Sequence, residues 1–319
     1  MKIIVIGNRF EKQHKDMIKE AASSVGAKLH FFDTEDEAIK SGISAEIIYG
    51  IAPRIAAADT NLKWLCSPTA GVDYLMKQDS FANRECMLTN AAGAYGVTIA
   101  EHMIGVLIMM MRRIPEFQEG TAQRKWYPPR AQKLILGSRI TVLGAGDIGR
   151  SFAERIRSFK PASVIAVNRS GRSECSYFDE VYPVSRLDEI LPRTDVLAMS
   201  LPATDETKDI LSRERLALLP DGAYIINVGR GSAIDEDAIA DELASGRLAA
   251  AALDVFRTEP LPEDSRLWNT RNLLITPHVA GNLTADHTIE RNVEMFCEDL
   301  DNYVNGRPLK YLVDKKLGY

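Results

Sequence analysis

Six consecutive residues of this chain have the types and spacing of a phosphate cradle. Gly144-Ala-Gly-Asp-Ile-Gly149 follows directly on the apolar run Ile140–Leu143 and opens a segment of helical character. The spacing has a mechanical reason: Gly144 permits a tight turn, Gly146 lets a pyrophosphate approach the backbone, and Gly149 lets helix and strand pack closely. N–H groups at the helix start then hold the phosphate. A glycine turn between strand and helix often does nothing more, but here the strand before it, the helix after it and the further strand–helix units favour dinucleotide binding. In an NAD site, an Asp or Glu about 20 residues beyond such a loop takes the ribose 2′-hydroxyl. Here that position, 19 residues past Gly149, is Asn168. The segment Asn168-Arg169-Ser170-Gly171-Arg172 lacks the charge that would repel a 2′-phosphate and supplies a guanidinium and a hydroxyl to bind one. NADP is therefore the expected cofactor, with NAD possible; the alternative is that Arg169 and Arg172 are solvated loop charges.

Three later segments place polar residues behind apolar runs, at the carboxyl ends of expected strands, where ligands bind in open α/β sheets. They are Ile225-Ile-Asn-Val-Gly-Arg-Gly231, Leu253-Asp-Val-Phe-Arg-Thr-Glu-Pro260 and Ile275-Thr-Pro-His-Val-Ala-Gly281.

The elements that must position these residues read as α/β throughout. Short apolar runs at Ile3–Gly7, Leu29–Phe32, Glu46–Tyr49, Lys63–Cys66 and Cys86–Thr89 alternate with helix-compatible spacers, the pattern of a parallel α/β layer. Val97–Ile114 reads as an unusually apolar helix, buried all round, with Arg112-Arg113 in its last turn and Pro115 just beyond. It is either a core helix or one that also forms a domain junction or subunit interface. The alternation restarts at Arg139, with strands expected at Ile140–Leu143, Val164–Val167, Val196–Met199, Tyr224–Val228, Ala250–Leu253 and Leu273–Ile275. Continuous apolar runs of this length mark strands buried on both faces. Helices are expected at Ile148–Phe159, Ser212–Leu219 and Asp235–Ser245, with Gly246 as a stop, and a last one at Thr284–Val304. The expected fold is thus a Rossmann doubly wound parallel sheet, residues 101–284, inserted into a smaller flavodoxin-like α/β domain made of residues 1–100 and 285–319. The active site is then expected in the cleft between them.

Composition narrows the partners. A chain of 319 residues holds about two domains, and 45% hydrophobic with 26% charged residues is ordinary for a globular protein, so disordered and small disulfide-scaffold readings are excluded. A net charge of −5 argues against a nucleic-acid or anionic-membrane surface as the main partner. Anionic ligands must therefore be gathered by local groups such as Arg169, Arg230 and the helix start after Gly144. The four cysteines, Cys66, Cys86, Cys175 and Cys297, show no metal-ligand spacing and read as reduced thiols, so no metal is expected. The apolar run after Met1-Lys2 is too short for a secretory signal, and Met103–Met111 is too short to span a bilayer; a cytoplasmic protein is expected.

The three strand-end segments, together with Ser67-Pro-Thr-Ala-Gly-Val-Asp73 and Ile99-Ala-Glu-His102, resemble the signatures of the D-isomer-specific 2-hydroxyacid dehydrogenases, in order and spacing across nearly the whole chain. The resemblance implies that Arg230, Glu259 and His278 form the active site of an enzyme reducing a 2-keto acid to a D-2-hydroxy acid. That chemistry needs a fixed cation for the carboxylate, a hydride donor facing the carbonyl carbon and a proton for the developing alkoxide. Arg230 would clamp the carboxylate and polarise the carbonyl oxygen. His278 would donate the proton in reduction and accept it in oxidation, with Glu259 on its other nitrogen holding the ring and favouring its cationic form. The alternative, a core histidine beside a structural Arg–Glu pair, fits any one of these residues alone better than all three together.

The resemblance also implies backbone contacts from Ala70, Gly71 and Val72 to the substrate carboxylate. Asp147 and Ile148 would lie along the pyrophosphate, Leu201 and Pro202 beside the adenosine half, Val228, Gly229 and Asp254 near the nicotinamide, and Ala280 close to His278. Tyr95 and Trp126 either shape the substrate pocket, Trp126 from a partner subunit, or are packing aromatics. His14, His30, His102 and His287 read as structural. Formate dehydrogenases pair their histidine with a glutamine where this chain has Glu259. Phosphoglycerate dehydrogenases often carry a C-terminal regulatory domain and an acidic residue at the ribose position. Asn168-Arg169-Ser170 is closer to the NADP-linked glyoxylate and hydroxypyruvate reductases. A homodimer is expected from the apolar helix and the segment 119–130. The rival reading is a dinucleotide-sensing interaction protein of the corepressor type, which would bind cofactor without significant turnover.

Overall fold

Each alternating apolar run becomes a parallel strand, and the strands assemble into two sheets. The computed structural model describes residues 1–77 and 79–318, divided into one unit of Met1–Tyr95 with Leu283–Tyr319 and a second of Gly96–Asn282.

The first unit contains β1 (Lys2–Ile6), β2 (Lys28–Phe32), β3 (Ile47–Tyr49), β4 (Trp64–Cys66) and β5 (Met87–Thr89), all parallel in the order β2-β1-β3-β4-β5. Side chains alternate between two buried layers, as the period of a strand requires. Ile4 and Ile6 pack with Ile48, Leu65 and Leu88, and Ile3 and Val5 with Ile47, Tyr49 and Trp64. Helices Lys12–Ser24 and Asp286–Val304 cover the second layer through Ile18, Ala22, Val293, Phe296 and Leu300. Phe296 stacks on Tyr49 at 4.5 Å and on Trp64 at 5.6 Å between ring centroids. Burying such side chains stabilises by about 1.5–3 kcal/mol each, which is why the C-terminal helix returns to this sheet. The tail is then tied down. Buried Asp299 accepts from the N–H groups of Lys310 and Tyr311, and Val313 donates to the Leu88 carbonyl.

The second unit contains β6 (Arg139–Leu143), β7 (Ser163–Asn168), β8 (Glu180–Pro183), β9 (Val196–Met199), β10 (Tyr224–Asn227), β11 (Ala250–Leu253) and β12 (Leu273–Ile275), parallel in the order β12-β11-β10-β9-β6-β7-β8. The order reverses between β6 and β9, the switch point where ligands bind in doubly wound sheets. Helix Arg213–Leu218 is capped by Ser212 and helix Glu236–Ala244 by Asp235, with Gly246 in a left-handed conformation just past its end.

The structure changes the sequence-based expectations in several places. The strand β8 was not foreseen: it is a partly exposed edge strand, too polar to stand out, and it ends at Pro183. The expected helix 97–114 stops three residues early, at Met111, and a second helix follows it. The first, Gly96–Met111, ends before Arg113, which adopts a left-handed φ of 56°, and Pro115 lies in the first turn of a second helix, Ile114–Ala122, where its missing N–H costs nothing. The first helix is also not buried all round. Ile99, Met103, Val106, Leu107 and Met110 form its buried face, while Glu101 and Gly105 are exposed. Finally, the unit divisions fall at 95/96 and 282/283 and not at 100/101 and 284/285. A helix held by its own hydrogen-bond ladder is not divided, and the whole of Gly96–Met111 packs with the second unit, along helix Asp147–Ile156. Helix Asp286–Val304 likewise starts two residues later than the expected 284.

All four cysteines are unpaired, and burial pushes the Cys66 thiol up to about 12 and those of Cys86 and Cys297 to about 11. Among the described residues no helix is long and apolar enough to cross a membrane.

Candidate active site

The glycine loop turns out of β6 with each glycine in a distinct role. Gly144 has a φ of 108°, a region L side chains avoid, and a Cβ there would stand 2.9 Å from the Ser200 carbonyl oxygen behind β9. A Cβ on Gly149 would overlap the Gly144 carbonyl oxygen, so helix Asp147–Ile156 seats directly on the turn. Gly146 caps that helix, is exposed, and has open space where a side chain would be. Asp147 and Ile148 therefore begin a helix whose first-turn N–H groups face an open cradle. Gly144 donates its N–H to Val167, which sets the loop after β7 beside the cradle.

In that neighbouring loop, Asn168 folds its side chain back on its own turn. Its Oδ1 accepts from the Gly171 N–H at 2.7 Å, and its Nδ2 donates to the Arg172 carbonyl at 2.8 Å. Ser170 Oγ accepts from the Arg172 N–H. The loop is ordered by these bonds, and Arg169, Ser170 and Arg172 are exposed on it. Leu201 and Pro202 follow β9, half-buried. Gly229 lies against Leu201 so closely that a Cβ would meet its amide nitrogen at 2.6 Å.

The candidate reactive side chains sit behind β10, β11 and β12. His278 Nδ1 and Glu259 Oε2 are 2.7 Å apart, both groups partly exposed, and Glu259 Oε1 accepts from the Phe256 N–H at 2.9 Å. The carboxylate is thus fixed at both ends, one on its own loop and one on the imidazole. His278 itself has a left-handed φ of 53°, a conformation costing on the order of 1–3 kcal/mol for a residue with a side chain. Asp254, 2% exposed, holds that conformation. Its carbonyl accepts from the His278 N–H at 2.8 Å, and its carboxylate accepts from Thr276 Oγ1 and the Val279 N–H on one oxygen and from the Ala280 N–H on the other. The residue expected near a nicotinamide thus has both oxygens engaged by the histidine loop, and Ala280 is one of its partners. Arg230 follows Val228 and Gly229, with Nη1 donating to the Gly229 carbonyl at 2.8 Å.

His102, on the helix Gly96–Met111, is held below the ordinary histidine range chiefly by burial, against a smaller pull from the Asp254 carboxylate. His14 is fully buried and its Nδ1 accepts from the Glu11 N–H at a helix start. No cluster of three or more His, Cys, Asp or Glu among the described residues is placed to hold a metal.

In the first unit, the loop after β4 carries Ala70, Gly71 and Val72. The Ala70 carbonyl accepts from Asn90 Nδ2, and the Gly71 carbonyl from Thr69 Oγ1. Tyr95 is buried and its hydroxyl donates to the Pro68 carbonyl at 2.6 Å, so it braces this loop. Trp126, in the second unit, is 98% exposed.

Asn227 and Thr276 escaped the sequence reading. The one available signal was a polar residue closing each of the apolar runs of β10 and β12.

Comparison with known proteins gives a consistent picture. Residues 104–280 match the family model for the NAD binding domain of D-isomer specific 2-hydroxyacid dehydrogenases. A family protein of that description from Aeromonas salmonicida has a solved structure that superposes with a TM-score of 0.87 at 31% identity, covering 98% of this chain and 99% of that one. The D-isomer specific 2-hydroxyacid dehydrogenase of Xanthobacter autotrophicus, solved with NADPH and MES, gives a TM-score of 0.80 at 26% identity over 99% of both chains. Glyoxylate/hydroxypyruvate reductase HPR3 of Arabidopsis thaliana is 30% identical over 253 residues, 78% of this chain and 75% of its own length.

Proposed function

Because the chain belongs to the D-isomer-specific 2-hydroxyacid dehydrogenases, NAD(P)-dependent oxidoreductases acting on the CH–OH group of donors, we propose that it reduces a small 2-keto acid to the D-2-hydroxy acid with NADPH. The observation that carries this reading is the His278–Glu259 pair at 2.7 Å, on loops at the carboxyl edge of the same sheet as the glycine cradle.

The cradle fits a dinucleotide. It is open at Gly146, closed to side chains at Gly144 and Gly149, and backed by a helix start. Gly144, Gly146, Asp147, Ile148 and Gly149 would hold the pyrophosphate, Leu201 and Pro202 the adenosine half, and Val228 and Gly229 the nicotinamide side, with Ala280 behind it. Arg169 and Ser170, beside Asn168, would take a 2′-phosphate. When bound, the reduced nicotinamide supplies the hydride that adds to the carbonyl carbon.

Arg230 pairs with the substrate carboxylate and polarises the carbonyl oxygen. With Nδ1 held by Glu259, Nε2 of His278 is the nitrogen that gives a proton to the alkoxide oxygen, so that C=O plus hydride plus proton yields CH–OH. Glu259 then faces an imidazole that has lost its proton, which solvent restores. In the first unit, the amides of Ala70, Gly71 and Val72 are the proposed donors to a substrate carboxylate, with Tyr95 bracing them. A homodimer accompanies this reading, supported by the exposure of Trp126; a monomeric mass at micromolar concentration would remove it.

The test is NADPH oxidation with a panel of 2-keto acids running from glyoxylate and hydroxypyruvate to branched and aromatic members, repeated with NADH. Turnover of at least one, faster with NADPH at equal concentration, is the expected result. Measurable NADPH binding without turnover of any would replace this function with that of a dinucleotide sensor.

A further inference from the structure

Resting on the assignment of Arg230 as the carboxylate clamp, we propose that Asn227 is a positioning residue for the reaction, a buried splint that sets the Arg230 guanidinium in place. Asn227 closes β10, whose other residues are apolar or aromatic, and is 1% exposed. A primary amide buried there without partners would cost about 1–3 kcal/mol. Instead, both ends of the amide are used on the backbone that brackets Gly229 and Arg230, the N–H of the first and the carbonyl of the second. Oδ1 accepts from the Gly229 N–H at 3.0 Å, and Nδ2 donates to the Arg230 carbonyl at 3.0 Å.

The splint reaches the guanidinium through one further bond. The Gly229 carbonyl accepts from Arg230 Nη1 at 2.8 Å, so the guanidinium rests on the peptide that lies between the two peptides Asn227 holds. Neither end of this loop has room to shift. Gly229 is pressed against the backbone of Leu201, and a Cβ on Gly231 would overlap the backbone of Phe256, whose N–H donates to Glu259. Asn227 is itself anchored in the sheet, accepting from the Asp254 N–H at 3.0 Å. Asp254 does for the His278 loop what Asn227 does for Arg230, from the neighbouring strand end. Asparagine is required because the loop presents one donor and one acceptor. An aspartate of the same shape would keep the bond to Gly229 and set a carboxylate oxygen against the Arg230 carbonyl.

A double-mutant cycle on the full-length enzyme tests this, with NADPH and the best 2-keto acid of the panel. Asn227→Asp should raise KM for the keto acid by about 10- to 100-fold, the scale set by misplacing a substrate-binding group by about 1 Å, and leave NADPH affinity within about twofold. In an Arg230→Ala background the same change should have no further effect, because the residue acts only through Arg230. Full activity of Arg230→Ala alone would overturn the carboxylate-clamp assignment. A severe Arg230→Ala with an unaffected Asn227→Asp, or losses that multiply in the double variant, would overturn the positioning role and leave the clamp standing. Should Asn227→Asp fail to fold, judged by NADPH binding and thermal unfolding, Asn227→Ser takes its place in the cycle with the same expectations, since it loses the donor–acceptor bracket without adding charge.

Discussion

The loops along the carboxyl edge of the seven-stranded sheet do their work in opposite ways at its two ends. Behind β6 the site is backbone: three glycines whose missing side chains leave a turn, an opening and a seat for a helix. Behind β10, β11 and β12 it is side chains, and two of the three candidate groups stand on loops braced by a buried polar residue, Asn227 for Arg230 and Asp254 for His278. A site made by omission is damaged by adding a single carbon. A site made of side chains is damaged by removing one, or by loosening the hydrogen bonds that aim it.

The largest expected effect lies at the side-chain end. His278→Ala should cut turnover by about two orders of magnitude or more while NADPH binding, read by fluorescence, persists. Undiminished turnover would remove His278 from the chemistry. At the backbone end, Gly149→Ala should destabilise by about 1–3 kcal/mol in denaturant unfolding, because the added methyl group has no place to go but the Gly144 carbonyl, and should weaken NADPH binding in parallel. An unchanged midpoint together with unchanged NADPH affinity would mean that the close seat of helix on turn is dispensable.

Two smaller effects sharpen the contrast. Arg169→Asp should shift the NADPH-over-NADH ratio of kcat/KM by about tenfold or more toward NADH, the scale of one charge-assisted hydrogen bond, without altering the keto-acid KM. A ratio that stays put would reduce Arg169 to a solvated loop charge. Smallest is the response of His102, which burial holds below the usual histidine value. Above about pH 6.5 the imidazole is neutral in folded and unfolded chains alike; as the pH falls below that value the unfolded chain takes up a proton that the folded one resists, so stability is lost down to the lowered folded value. His102→Gln should flatten that part of a thermal-midpoint profile against pH. An identical profile would show that the Asp254 carboxylate fully offsets the burial.

These contrasts also explain what could be read in advance. The glycine loop was legible because its spacing is local: six residues in a row fix the turn, and the strand and helix around it follow from their own periodicity. Strands such as β9 and β11 were legible to the residue because they are buried on both faces and nothing in them is polar, and the edge strand β12 because its three residues are all apolar. The edge strand β8 was not, since its residues form no continuous apolar run, and the end at Met111 was not, since Arg112 and Arg113 suit the last turn of a helix while the backbone turns at Arg113.

Arg230, Glu259 and His278 were found by resemblance, which identifies the residues but says nothing of what holds them. Asn227 and Asp254 show the remainder. In the sequence each is a polar residue near the end of an apolar run. Only the folded sheet, which stacks β10, β11 and β12 in register, brings the carbonyl of Asn227 to the N–H of Asp254 and the carbonyl of Asp254 to the N–H of His278. The sequence by itself determined the layers and the glycine turn, because these depend on periodicity and on residue type, and it marked the candidate reactive groups by resemblance. The aim of those groups was decided by the tertiary structure, because hydrogen bonds between residues 19 to 27 positions apart exist only once the strands that carry them are neighbours.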